Sequence, residues 1–298
     1  MSGLPEHRHP YGIVDAFTAH PFSGNPAGVL ILERDLPAKA MQTVAAEINL
    51  SETAFVHPRD AHGRRLIRWF TPTDEVPLCG HATLASARAL LEEGEPFPLK
   101  LDSASGPLEV HREEDGRLRL DFPADPPVPE APPPGMLDAL GLEIPRDSAS
   151  SPGIHGGSPA KAPYGPVPSC YRARNLWLIR LQSEEDVRQV SPDFTRLSRV
   201  DPGAGPLGVT VTAPGDDDGV DFVSRFFAPW VGVDEDPVTG IAHTVLTPYW
   251  AADLRLEEME ARQISRRGGA LRVRMAADRV HLVGHAVVVA RGEIRLPA

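Results

Sequence analysis

An α+β fold assembled from two similar halves is predicted by three observations. Arg68-Trp69-Phe70-Thr71-Pro72 returns in the second half of the chain as Arg225-Phe226-Phe227-Ala228-Pro229. Each copy runs through an acidic stretch into a glycine-led run of small residues, Cys79-Gly80-His81-Ala82-Thr83 and Thr239-Gly240-Ile241-Ala242-His243-Thr244. Around both runs, strand-like and helix-like patterns alternate, so each half reads as one buried helix wrapped by strands. Two such halves would face each other across a shared cleft. They differ where chemistry is done, Cys79 and His81 standing against Asp236 and Val238.

The elements follow in order. Residues 12–17 read as a short strand and Ser23-Gly24-Asn25-Pro26 as a turn. Met41, Val44, Ala45 and Ile48 fall at i, i+3, i+4 and i+7, which predicts an amphipathic helix ending near Asn49. Ser51-Glu52-Thr53 opens a strand through Val56, and residues 64–70 form another. The Ala- and Leu-rich residues 80–92 read as a buried helix. Alternating segments at 107–111 and 117–122, joined through Glu-Glu-Asp-Gly, read as a hairpin. Residues 123–170 are then dense in Pro, Ser, Gly and Ala, with a short helical stretch near 136–142. Within them, 147–168 reads as an interdomain linker, a lid over the cleft being the functional alternative. Beyond Asn175, residues 176–181 form a strand and Ser183-Glu184-Glu185-Asp186 caps a helix. Strands at 207–212 and 221–227 bracket a turn at 216–219, and 239–250 is the second small-residue helix. From about Met259 several strands are separated by Arg267-Gly268-Gly269 and Ala276-Ala277-Asp278. The chain thus divides into an N-terminal lobe over 1–122, an excursion over 123–170 and a C-terminal lobe over 171–283. The last strand, about 284–298, is available to complete the first lobe.

Composition excludes several function classes. The 298 residues, 41% hydrophobic and 24% charged, suit one large or two medium globular domains. A net charge of −11 argues against a nucleic-acid partner, which needs clustered Lys and Arg. No apolar run approaches the roughly 20 residues of a membrane span, and no basic-then-apolar signal opens the chain. The expected location is therefore cytoplasmic. Two cysteines, Cys79 and Cys170, indicate no disulfide framework. No CxxC, HExxH, GxGxxG or GxxxxGK[ST] pattern occurs, so no metal and no nucleotide cofactor is expected.

A helix N-terminus presents unpaired N–H groups and the positive end of the helix dipole, which favours anions. Gly80 and Gly240 would let a ligand approach those groups, although glycines that merely let helices pack are the plainer reading. Glu52 stands at the mouth of a strand that turns apolar at once. Partly buried, it would have a raised pKa and could take and return a proton near neutral pH; a solvated carboxylate at a strand start is the alternative. His81, at the start of an apolar helix, should have a lowered pKa and act as a neutral donor or acceptor, or else be a satisfied core histidine. Asp236 precedes Pro237 and the second helix, where capping alone would be sufficient reason for it. His243, Arg225 and Arg267 are candidates for lining the same region, or ordinary structural partners. Cys79 is the candidate nucleophile, because a helix N-terminus lowers a thiol pKa. Val238 stands at the corresponding place in the other half, so a two-thiol mechanism is excluded.

These motifs carry a family resemblance. Asp15-Ala16-Phe17 with Gly24-Asn25-Pro26-Ala27-Gly28-Val29, Asn49-Leu50-Ser51-Glu52-Thr53-Ala54-Phe55-Val56, Gly80-His81-Ala82-Thr83, Ser224-Arg225-Phe226-Phe227-Ala228-Pro229 and Asp234-Glu235-Asp236-Pro237-Val238-Thr239-Gly240 together resemble the PhzF-like proteins of phenazine-biosynthesis isomerase type. Arg267-Gly268-Gly269 extends the match, which leaves out only 123–170. The resemblance implies a diaminopimelate-epimerase-like fold, two pseudo-symmetric lobes each with a curved sheet around a central helix, often as a homodimer. It also implies a cofactor-free isomerase that moves a proton on a small carboxylated substrate. The family's acid–base glutamate matches Glu52, its glycine–histidine pair Gly80-His81 and its cleft aspartate Asp236. Where the family commonly has a small hydroxylated residue after the second glycine, this chain has Ile241. Cys79 is similar to the thiols of the racemases and epimerases of this fold, which work in pairs.

The expected machinery is then Glu52, His81 and Asp236 as catalytic residues, with Gly80, Ala82, Thr239, Gly240 and Ile241 binding the substrate. Glu52 removes a proton from a carbon beside a carboxylate or an unsaturated system, and it or a neighbour returns the proton on the same face. A one-thiol racemase or epimerase using Cys79 is one alternative. A non-catalytic small-molecule binder, suggested by Ile241, is the other.

Overall fold

The structure is a computed structural model that describes residues 6–142 and 169–297. The stretch at 147–168, read above as a linker or lid, lies outside the described residues. The strands form one continuous hydrogen-bonded sheet, and its pairing repeats strand for strand. In the first half the spatial order is Ala286–Pro297, Glu6–Ala16, Asn25–Ile31, Glu52–Arg59, Arg65–Phe70, Leu99–Ser103, Gly106–Arg112 and Leu118–Pro123. In the second it is Val128–Pro129, Ser169–Arg172, Leu176–Arg180, Gly208–Pro214, Phe222–Ala228, Glu258–Gln263, Gly269–Ala276 and Arg279–Gly284. In both series the third strand runs parallel to the fourth and the fifth to the sixth, and every other neighbour is antiparallel. A short strand, Glu75–Val76 or Val233–Asp236, hangs on the fifth. The two series join where Leu118–Pro123 pairs with Arg279–Gly284.

Parallel neighbours need a crossover, and helices supply it. Ala38–Ile48 and Glu184–Gln189 connect the third and fourth strands of their series. The larger helices, Gly80–Glu92 and Gly240–Leu254, connect fifth to sixth and fill the two sheet concavities. Local chemistry accounts for their limits. Helix Ala38–Ile48 buries Met41, Val44 and Ala45, and stops at Asn49, which takes the left-handed conformation at φ 54°. Ser183 and Asp186 form a reciprocal capping box at the start of Glu184–Gln189. Helix Gly240–Leu254 runs past Trp250 and through Pro248. That proline has no N–H for the Thr244 carbonyl, and the backbone N–H of Asp125 donates to it instead, at 3.0 Å.

Two expectations change. Ser23-Gly24-Asn25-Pro26 suggests only a turn, yet a largely buried strand inside the sheet, Asn25–Ile31, already begins at Asn25. Gly28 is required there by close approach, since a Cβ would lie 2.8 Å from Thr53 Oγ1 on the parallel neighbour. The echoed Arg-x-aromatic segments turn out to be a packing device. Arg68 pairs with Glu75 and lies over the Phe70 ring, and Arg225 pairs with Glu235 and lies over Phe227. Each arginine thereby fastens the short hanging strand that precedes its central helix.

The main hydrophobic core draws on both halves, with Val14, Trp69 and Leu84 in the same cluster as Phe222, Val245 and Trp250. Smaller clusters lie under the outer helices, around Met41 and Phe55 in one half and around Trp177 and Val209 in the other. No helix among the described residues is long and apolar enough to cross a membrane.

Candidate active site

The two central helices meet at their first residues. A Cβ built on Gly80 would lie 3.6 Å from the Gly240 Cα, and one on Gly240 would lie 3.5 Å from the Gly80 Cα. The N-cap residues are Cys79 and Thr239, both extended, and neither gives its helix a side-chain capping hydrogen bond. Two positive helix ends therefore converge without side-chain caps, an arrangement suited to a carboxylate or oxyanion.

This geometry corrects two sequence readings. The counterpart of Cys79 is Thr239 rather than Val238, because Gly80 and Gly240 are the equivalent first helical residues. Asp236 does not cap the helix; its Oδ2 accepts from the Thr239 hydroxyl and its Oδ1 from the Asn25 amide at 2.9 Å. Glu52 itself falls inside the structural repeat. Strand registers make Gly208 its counterpart. A Cβ there would meet the Phe226 ring at 2.4 Å, so an aromatic ring fills the place a second glutamate would take.

Glu52, His81 and Cys79 form a connected group. His81 Nε2 lies 3.3 Å from Glu52 Oε2 and 3.5 Å from Ser51 Oγ, and its Nδ1 lies 3.5 Å from Cys79 Sγ. With the ring proton on Nε2 the imidazole donates to Glu52, and its Nδ1 faces the Cys79 sulfur. Burial raises the Glu52 pKa, and hydrogen bonds from Ser51 and Cys79 pull it part of the way back. Burial lowers that of His81, against the pull of the Asp236 charge, so the imidazole is neutral. Burial and the Glu52 charge push the Cys79 thiol well above its ordinary value, the opposite of an activated nucleophile. Asp236 is raised to about 6 by burial and secondarily by Glu52, with His81, Thr239 and Asn25 opposing. Two carboxyl groups of raised pKa beside a neutral imidazole make an acid–base constellation poised near neutrality.

Glu52, Cys79 and His81 are also metal-ligand types, each placing one ligating atom within 4.8 Å of the others.

Among the other expected residues, Ala82 is buried in the first turn of its helix and Ile241 is half-buried in the first turn of the other. His243 does not line the site. It is fully buried, donates from Nδ1 to the Thr239 carbonyl at 2.8 Å and packs against Phe222. Arg225 fastens Glu235, and Arg267 bonds Asp15 and the Ser23 and Gly24 carbonyls. Sequence reasoning missed Ser51, Asn25 and Gln263 as site residues. The Gln263 amide donates to the Asp236 carbonyl at 2.7 Å and accepts from the Thr239 N–H at 2.9 Å. A cavity of about 540 Å³ lies beyond Gln263, between residues 17–23 and 262–270, beside the constellation rather than at it.

Comparison with known proteins adds the following. A family model described as phenazine biosynthesis-like protein matches residues 14–292. A protein of Pseudomonas aeruginosa named "Uncharacterized isomerase" is 48% identical over 286 residues, covering 95% of this chain and 97% of that one. The crystal structure of a phenazine biosynthesis protein of the PhzF family from Enterococcus faecalis superposes with a TM-score of 0.83 at 40% identity, covering 97% of this chain and 100% of that one. A hydroxyproline epimerase from Agrobacterium vitis shares the fold alone, with a TM-score of 0.54 at 12% identity over 98% of this chain and 93% of that one.

Proposed function

This chain belongs to the phenazine biosynthesis-like (PhzC-PhzF) family, and from that premise we propose that it is an isomerase with Glu52 as its acid–base residue. The observation that carries the reading is the meeting of Glu52 and His81 at 3.3 Å beside two uncapped helix ends. The substrate is a small carboxylated molecule with an acidic C–H. Its carboxylate takes the N–H groups at the starts of the helices, around Gly80, Ala82, Gly240 and Ile241, with Thr239 at the second N-cap. There the negative charge that develops on proton removal is stabilised by fixed dipoles. Glu52 takes the proton from the neighbouring carbon and returns it to another atom on the same face. His81 holds the Glu52 carboxylate in place by its Nε2–H, and Asp236 orients an amine or hydroxyl of the substrate.

The filled position opposite Glu52 favours one-base transfer over a racemase with two bases. Ile241 offers a hydrocarbon wall where a hydroxyl would give a hydrogen bond, which favours substrates apolar on that side. A homodimer in the cytoplasm belongs to the same proposal and rests on the sequence; sedimentation velocity reads the assembly directly.

Incubation in D2O with a panel of amino acids and cyclic or unsaturated carboxylic acids tests the proposal. Incorporation of deuterium at one carbon of at least one compound is expected. Exchange into none of them, with binding of some, would make the protein a binder and overturn the reading.

A further inference from the structure

Three sequence motifs find no use in the proposed chemistry: Asp15-Ala16-Phe17, Gly24-Asn25-Pro26 and Arg267-Gly268-Gly269. The structure brings them together at the boundary between the lobes. Asp15, 1% exposed, accepts from Arg267 Nη2 at 2.9 Å through one oxygen and from the Phe22 N–H at 2.7 Å through the other. Arg267 Nε donates to the Gly24 carbonyl at 2.8 Å. The backbone closes the same junction twice, with the Gly24 N–H donating to Gly268 O at 2.8 Å and the Ala270 N–H to Phe17 O at 2.9 Å. Gly24, at φ 68°, leaves no room for a side chain, since a Cβ would lie 2.2 Å from Ala16 O. Gly269 packs with equal closeness on Val238, where a Cβ would meet Cγ2 at 2.2 Å. First-lobe turn and second-lobe strand are thus fastened as one body.

Asn25 is what this body presents to the site. It is fully buried, and its amide nitrogen gives both hydrogens across the boundary, to Asp236 Oδ1 at 2.9 Å and to Val238 O at 2.8 Å. Its own Oδ1 has no partner among the described residues, a desolvation cost that a residue kept only for packing would not need to carry. The orientation is fixed, because a flipped amide would aim its oxygen at a carboxylate and a carbonyl. The other hydrogen bonds to Asp236, from Thr239 and Gln263, come from its own lobe.

We propose that Asn25 is a positioning residue that sets Asp236 from the opposite lobe, through a staple made of the turn at 17–25 and the segment at 267–270. Asp236 then keeps its place relative to Glu52, a first-lobe residue, although it is carried by the second lobe. The proposal rests on Asp236 belonging to the active site.

The test is the titration of Asp236 followed by 13C NMR of its carboxyl carbon in aspartate-labelled protein, with Asp236→Asn assigning the signal. Asn25→Asp is nearly isosteric but loses both N–H donors, and Asn25→Ala removes the amide altogether. Each is expected to raise the Asp236 midpoint by about one pH unit or more, with Asn25→Asp above Asn25→Ala because it adds a like charge. Arg267→Lys, which keeps the charge but cannot make the forked contacts, should shift it in the same direction by less. It carries the test if the Asn25 variants fail to fold. An unmoved midpoint in the folded variants, with only a lower melting temperature, would reduce Asn25 to a packing role and overturn the proposal. The readout needs no substrate, so it is separable from the isomerase reading. If wild-type protein exchanges no deuterium yet the midpoint shifts, the function fails and the staple stands.

Discussion

Glu52 and Asp236 are two carboxyl groups held where ionisation is costly, and the cost is legible in pH dependence. Asp236 titrates near 6 in the folded protein, above the 3.8 of a free aspartate. A carboxyl whose folded pKa is raised leaves the protein most stable below its unfolded value and destabilises it as pH rises through the folded value. Asp236→Asn should therefore raise stability at pH 8 by on the order of 2 kcal/mol, with the gain fading toward pH 4. Thermal unfolding across that range checks it; a variant less stable than wild type at pH 8 would contradict the assignment of Asp236 as a strained site group. Activity should run the other way, because Glu52 must be ionised to take a proton. An acid limb of kcat/KM lying above the ordinary glutamate range is expected, shared between the two coupled carboxyls. A limb at or below the ordinary range would remove Glu52 from the role of base. Good notice of Glu52 came from the sequence itself, since a carboxylate before an immediate apolar run is exposed to desolvation. It gave none of Asn25 or Gln263, whose contacts depend on strands far apart in the chain.

Helix beginnings are the elements that matter most. At Gly80 and Gly240 neither glycine adopts a positive φ, and an added Cβ meets its neighbours no closer than 3.5 Å. An alanine thus fits without strain, its methyl in van der Waals contact with the first residue of the opposite helix, beside the N–H groups assigned to the substrate. Gly240→Ala should fold with stability within about 1 kcal/mol of wild type, since alanine is the better helix former, and lose at least about tenfold in deuterium exchange. Full activity in a folded Gly240→Ala would show that the substrate anion sits elsewhere. Both central helices were legible because a run of small residues follows each glycine, although the second continues through Pro248. Their N-caps were less so. Matching the echoed motifs set Val238 against Cys79, whereas backbone geometry sets Thr239 there. Strand Asn25–Ile31 was not foreseen beyond the turn read at Ser23-Gly24-Asn25-Pro26, because its parallel pairing with Glu52–Arg59 has no local signal; the Thr53 hydroxyl across that pairing explains Gly28.

The whole molecule is a duplicated sheet whose symmetry is broken at the site. The echo at residues 68–72 and 225–229 revealed the duplication but not how deep it runs. The eight-strand order of each half is set by pairings between distant segments, with Ala286–Pro297 beside Glu6–Ala16 as the widest instance. One core spans both halves and two strands join them. Unfolding is accordingly expected to be a single transition, coincident by far-UV circular dichroism and tryptophan fluorescence, with Trp69 reporting on one half and Trp177 and Trp250 on the other. Two separated transitions would mean that the halves fold independently and that the shared core contributes little. The broken symmetry is the pair Glu52 and Gly208, with the Phe226 ring in the place of a second base. Cys79, a protonated neighbour of His81, is left with no proton to abstract. The decisive measurement is solvent-deuterium incorporation by Glu52→Gln and Cys79→Ala side by side, each verified as folded. Glu52→Gln should lose about a thousandfold or more while Cys79→Ala stays within about tenfold of wild type. The reverse, exchange that survives in Glu52→Gln and disappears in Cys79→Ala, would assign the chemistry to the thiol and contradict one-base transfer by Glu52.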